Sequence, residues 1–103
     1  MNSFPLTGAQ KTKLRGLGQT SPDNLLVGRE GAATNVIAQL DRELAIRELV
    51  KVRFTGGQER EARAALHETL ARATHSECVG AVGHTALFFR QNPEPAQQKI
   101  ALL

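Results

Sequence analysis

Gly28-Arg29-Glu30-Gly31 is the stretch of this chain best suited to holding an anion. It lies between a short apolar run, Asn24-Leu25-Leu26-Val27, and an amphipathic stretch from Thr34 to Arg47. Two glycines around a basic residue at the start of a helix let the backbone approach a phosphate, because no Cβ stands in the way. The free N–H groups and positive dipole end of that helix favour the anion further. A Gly-x-x-Gly clamp of this sort can hold about four nucleotides of single-stranded RNA. Two glycines three apart also occur in ordinary loops, so the motif needs support from the rest of the chain.

Other chemistry finds little footing. No Walker-type lysine motif, nucleophile elbow or His-Glu-x-x-His is present. Gly16-Leu17-Gly18 has no strand before it and lacks the third glycine of a dinucleotide fingerprint. His75 and Cys78 are three apart with His67 upstream, but a single cysteine without a paired Cys-x-x-Cys argues against zinc. No metal or other cofactor is expected. Cys78 reads as a small buried apolar group, and His84 as a turn residue that could reach a phosphate. The carboxylate pairs Glu59/Glu61 and Asp41/Glu43 are two apart on helices and do not face one another. Nothing brings an acid, a base and a nucleophile together, so the expectation is a protein that is not an enzyme.

The aromatic residues narrow the mode of contact. There is no Trp or Tyr, and the four Phe are Phe4, Phe54, Phe88 and Phe89. Phe54 alternates onto an apolar face, and at least one of Phe88 and Phe89 belongs to the core. A platform for stacking bases is not evident, so any RNA would be held through phosphates, sugars and shape.

The elements that must position the glycine loop follow from periodicity. A first helix is expected from Gly8 to about Gly18, with Thr7 and Gln10 forming a capping box and Leu14 and Leu17 its buried stripe. Lys11 and Arg15 lie together beside that stripe, with Lys13 on its other edge, and Gly16 suggests close packing or an approaching ligand. In the second helix Val36, Ile37, Leu40 and Leu44 share a face. From Glu48 to Phe54 apolar residues alternate with Leu49, Lys51 and Arg53, predicting a strand packed on one side and open on the other. A loop at Thr55-Gly56-Gly57, with Thr55 or a neighbour as cap, leads to a third helix ending near Thr74. Its inward residues are expected to be Ala62, Ala65, Leu66, Leu70 and Ala73. Strands Cys78–Val82 and Thr85–Arg90 are joined at Gly83-His84, a hairpin signal. Crossovers through helices join parallel strands, and the hairpin adds an antiparallel one. The result is one small α/β domain, two-layered in the α+β manner, with three helices on a mixed four-stranded sheet in the order α-β-α-β-α-β-β. Residues 1–90 form the domain, and residues 91–103 read as a flexible tail with a docking segment at Ile100 to Leu103.

A chain of 103 residues with 41% apolar and 22% charged residues fits one soluble domain. Without a run of 18 apolar residues or a basic-then-apolar start, a membrane or secreted life is not expected. A single cysteine suits a reducing cytoplasm. The net charge is +3, and residues 1–31 carry four basic groups against two acidic ones, whereas residues 58–77 carry three against four. A basic side of this kind is expected of a polyanion binder.

Four segments in register now meet a known pattern. They are Lys13-Leu14-Arg15-Gly16-Leu17, Leu26-Val27-Gly28-Arg29-Glu30-Gly31, Glu48-Leu49-Val50-Lys51-Val52-Arg53 and Val82-Gly83-His84-Thr85-Ala86-Leu87-Phe88-Phe89-Arg90. With them the chain, from about Leu6 to Arg90, closely resembles the CRM domain of chloroplast RNA splicing and ribosome maturation, in its stand-alone bacterial YhbY-like form. The resemblance implies a fold similar to the C-terminal domain of translation initiation factor three and association with rRNA in precursors of the large ribosomal subunit. It also implies that the glycine loop contacts RNA. The expected RNA-binding residues are Gly28, Arg29, Glu30, Gly31, Lys11, Arg15, Lys51 and Arg53, with Lys13 and Arg90 beyond them. Glu30 departs from a purely cationic clamp and should weaken phosphate binding unless it points away or pairs with Arg29. His84 stands where the family commonly has lysine. The partner is RNA, with no membrane or small-molecule substrate and the protein acting as a monomer. The alternative is a protein-interaction module that reaches the ribosome through a protein, using the apolar end Ile100 to Leu103.

Overall fold

The first helix, α1 (Gly8–Gln19), begins as its sequence dictates: the Thr7 side chain accepts from the Gln10 amide, and the Gln10 side chain accepts from the Thr7 amide. A computed structural model describes residues 6–102; Phe4 and Leu103 lie outside the described residues. After α1 come β1 (Leu25–Val27), α2 (Thr34–Arg47), β2 (Leu49–Phe54) and α3 (Arg60–Ala73), then β3 (Glu77–Val82) and β4 (Thr85–Phe89). These are the three helices and mixed four-stranded sheet that the periodicity predicts.

Strand order is β1-β2-β4-β3. β1 runs parallel to β2, while β4 is antiparallel to both β2 and β3. The crossover through α3 therefore skips a strand, since β4 turns back at the hairpin and fills the place beside β2. Composition explains that choice. β4 carries Ala86, Phe88 and Phe89, all buried, and suits an interior strand. β3 carries Gly80 and an irregularity between Cys78 and Gly80, features common at a sheet edge.

Two apolar clusters occupy opposite faces of the sheet. On one, Val36, Leu40 and Leu44 of α2 and Leu70 of α3 pack on Val27, Val50, Val52, Phe54 and Phe88. Burying each such side chain stabilises the fold by about 1.5–3 kcal/mol before chain entropy is counted. On the other face Leu14 meets Val79 and Phe89, with Leu49, Leu87, Ile100 and Leu102 against them. Phe88 and Phe89 thus serve one core each. Along β2 the second face, expected to be open, is covered at Leu49 and Lys51 and open at Arg53. Local alternation could not reveal a helix arriving from elsewhere in the chain.

Several local expectations shift. Leu17 is 42% exposed, and Gly18 takes its place in the buried stripe beside Leu14. Gly16 has open space around it, so the close-packed glycine is Gly18, where a Cβ would run into the Leu87 side chain. α3 has Glu59 at its Ncap without a side-chain bond, and Thr55, the expected cap, reaches the Val27 carbonyl at 3.4 Å. Its inward face is rotated: Leu70 is buried and Leu66 half-buried, whereas Ala62, Ala65 and Ala73 are exposed.

Glu48 belongs to neither α2 nor β2. It has φ 67°, is 1% exposed, and ends the helix where a strand start was expected. Its buried carboxylate accepts the amides of Asn92 at 2.6 Å, Lys99 at 2.7 Å and Ile100 at 2.9 Å. The segment after β4 is thereby folded back, so Ile100 and Leu102 reach the Leu14 cluster and Lys13 donates to the Ala101 carbonyl. Arg90 is also engaged, bonding Asp41 at 2.6 Å and the Thr74 carbonyl at 2.7 Å. Removing the carboxylate strands three backbone donors. Glu48→Ala should cost about 1–3 kcal/mol in urea unfolding and speed amide exchange at Lys99 and Ile100. Unchanged exchange there would contradict the latch.

Candidate nucleic-acid interface

The glycine loop is a tight turn at one end of the sheet. The Gly31 amide donates to the Gly28 carbonyl at 3.2 Å, and Gly31 has φ 59°, a conformation costly for residues with a Cβ. A Cβ at Gly31 would also lie 3.1 Å from the Leu66 side chain, so this glycine seats the loop on α3. Gln58 donates to the Gly28 carbonyl at 3.0 Å and Arg63 holds the Gln58 carbonyl at 2.6 Å, tying the turn to the start of α3. What remains outward is Arg29. Its guanidinium is exposed and has no partner among the described residues, and the amides of Arg29 and Glu30 donate to nothing there. α2 begins next to them at Ala33 without a side-chain cap. Glu30 does not pair with Arg29. Its carboxylate folds over Gly28, where a Cβ would meet it at 2.8 Å.

Lys11, Arg15, Lys51 and Arg53 lie on the α1 face, in an order set by strand register, whereas Arg90 turns to Asp41 of α2. Lys11 is farthest from the loop and pairs with Glu77 at 3.0 Å at the beginning of β3. Lys51 and Gly80 both flank Leu87 in the middle of the sheet, and Arg15 lies across Gly80. Arg53 is nearest the loop, in the row Leu26–Arg53–Thr85–Val82, and pairs with Asp23 at 2.7 Å.

Arg15 and Lys51 differ from their neighbours, since neither has a carboxylate partner among the described residues. Arg15 donates to the Val79 carbonyl at 2.9 Å and the Thr12 hydroxyl at 3.2 Å. The Lys51 ammonium bonds the carbonyls of Gly18 at 3.2 Å and Ser21 at 3.3 Å, supplying the cation that the end of α1 lacks. Backbone carbonyls orient these two groups without cancelling their charge. They line a groove of about 310 Å³ between α1 and the β3–β4 hairpin, with Gln19, Leu87, Thr85 and Val82 along it.

Sequence reasoning missed the spacers that form this groove. At Gly80 a Cβ would come within 2.8 Å of the Arg15 side chain, so both Gly18 and Gly80 let α1 lie close to the sheet. It also missed the apolar residues left open in the row nearest the loop, Leu26 at 60% and Val82 at 81% exposed. On the opposite face Arg60, Arg63 and His67 line a second cleft beside Gly83. Small residues recurring where α1 meets β3 were the only local signal.

The CRS1 / YhbY (CRM) domain profile matches residues 6–90, every helix and strand from α1 to β4. The chain belongs to this family. A CRM relative from Pseudomonas aeruginosa, named "Probable RNA-binding protein PA4753", is 36% identical over 90 residues, covering 87% of this chain and 86% of its own. Another from Bacillus subtilis, "Probable RNA-binding protein YqeI", is 32% identical over 92 residues, covering 89% and 95%. Among solved structures, protein SAV1595 from Staphylococcus aureus superposes with a TM-score of 0.79 at 33% identity, over 94% of this chain and 100% of that one.

Among the described residues, no group of three His, Cys, Asp or Glu could hold a metal ion, and no helix is long and apolar enough to cross a membrane. Cys78 packs against the main core and burial pushes its thiol up, so it is no ready nucleophile. His67 packs against Phe54 with ring centroids 5.0 Å apart and the planes tilted by 51°. Burial holds its imidazole below the ordinary value of 6.5, and Arg63 acts in the same direction. The folded protein thus resists protonating His67, so stability is intact above the ordinary value and lost as pH falls below it. Between pH 7.5 and 5.5 the melting temperature should drop more for the native protein than for His67→Leu. Parallel curves would remove His67 from the pH response.

Proposed function

We propose that this CRM protein is a non-catalytic, cytoplasmic RNA-binding protein that associates with precursors of the large ribosomal subunit and assists their assembly. One observation carries the reading: Arg29 beside the free loop amides, and Arg15 and Lys51 in the groove under α1, are cations without carboxylate partners among the described residues. That is the electrostatic footprint of a polyanion site. The names of the two bacterial relatives support RNA as the polyanion, and the family's part in ribosome maturation supports the precursor. Ile100 and Leu102, the residues offered to a protein partner, lie against Leu14, Val79 and Phe89, which favours RNA over that alternative.

Counter-ions lower the expected salt response. Five cations, Arg29, Lys11, Arg15, Lys51 and Arg53, would neutralise about five phosphates, but Lys11 and Arg53 already have acidic partners, which leaves about three. Log K should then fall against log salt with a slope of about −2 for single-stranded RNA, instead of about −3.5. Tight binding with a flat salt response would refute phosphate-led recognition. Around the loop the charge series is ordered. Arg29→Glu should weaken binding to unrelated RNA sequences alike, and Glu30→Gln should strengthen it by removing the negative charge over Gly28. The same affinity in both would take the loop out of the site. Crosslinking in cells should join the protein to rRNA of immature large subunits, whereas crosslinks confined to mature ribosomes would contradict a role in assembly.

A further inference from the structure

We infer that the groove between α1 and the β3–β4 hairpin is a slot for one unpaired nucleobase, stacked on the Arg15 guanidinium. The inference rests on the RNA-binding reading and names what the α1 face takes from the RNA besides phosphate. Phe54, Phe88 and Phe89 are all buried, so none of them offers a base a ring to stack on. An arginine plane can serve instead, because a guanidinium is flat and delocalised and stacks on bases.

Arg15 is built for that duty. Its side chain crosses Gly80, where any Cβ would displace it, and its two terminal nitrogens are held by the Val79 carbonyl and the Thr12 hydroxyl. A guanidinium fixed at both nitrogens is a preorganised surface rather than a mobile charge. The groove beside it has a volume of about 310 Å³, within the range of small-ligand sites. Its walls combine apolar Leu87 and the rim residue Val82 with the polar groups of Gln19 and Thr85. A purely phosphate-binding surface has no use for an apolar wall, whereas a base needs both an apolar face and polar edges. Lys51 adds a cation in the same groove for the adjoining phosphate, and no carboxylate among the described residues opposes it.

The test separates base from phosphate. A short oligoadenylate and an abasic ribose-phosphate chain of the same length carry equal charge and differ only in the bases. The native protein should bind the oligoadenylate roughly tenfold more tightly, the size of one base stack. Arg15→Lys keeps the charge and removes the plane, so it should abolish that preference. Equal binding of the two chains by the native protein would overturn the slot and leave the RNA-binding reading standing. A preference that persists in a folded Arg15→Lys protein would overturn the assignment to Arg15. Failure of the native protein to bind either chain or any natural RNA would overturn both readings together.

Discussion

Close approach of α1 to the sheet is the constraint from which the α1 face of this protein follows. Gly18 admits the Leu87 side chain, and Gly80 admits the stem of Arg15. A methyl group at either place would push the helix outward or force its neighbour to shift. With the helix seated, its last carbonyls come within reach of Lys51, and Arg15 reaches the Val79 carbonyl. Two cations are thereby fixed by neutral acceptors. Five other cations, Lys11, Arg47, Arg53, Arg72 and Arg90, are matched by nearby carboxylates. Surface pairs of that kind add little stability but reduce the charge a polyanion would meet. The unmatched groups therefore matter more than the total of basic residues.

The glycine loop and the groove divide the work by their construction. The loop is a turn held by Gln58 and packed on Leu66, so its backbone position depends on α3 as well as on α2. It presents free amides and one guanidinium, which suit a phosphate. The groove presents a fixed plane, an apolar wall and a second cation. Glu30 tempers the loop by placing a carboxylate over Gly28. A carboxylate in that position repels a phosphate approaching the loop amides, favouring moderate and reversible contact.

Elements governed by neighbouring residues were legible in the sequence. The Thr7/Gln10 capping box, the Val36-Leu40-Leu44 stripe and the Val50-Val52-Phe54 alternation depend on spacings of two to four residues, and each is present in the fold. What escaped depends on distant partners. Leu17 and Gly18 are adjacent, and only the position of Leu87 decides that the glycine faces inward. Glu48 reads as the first residue of a strand until a segment some fifty residues later supplies three amides to its carboxylate. The candidate site was legible in its membership, since Arg29, Arg15 and Lys51 were all named from the chain. Its weighting was not, because Asp23 and Glu77 neutralise Arg53 and Lys11 from other elements.

RNA is expected to meet the loop end and the α1 face, rather than the outer surfaces of α2 and α3. Backbone amide shifts recorded during titration with RNA test it most directly. The prediction is a contiguous set of shifts at Arg29–Gly31, Arg15, Lys51 and Val82–Thr85. Shifts gathered instead around Arg42, Arg47 and Arg72, with the loop and groove silent, would contradict it.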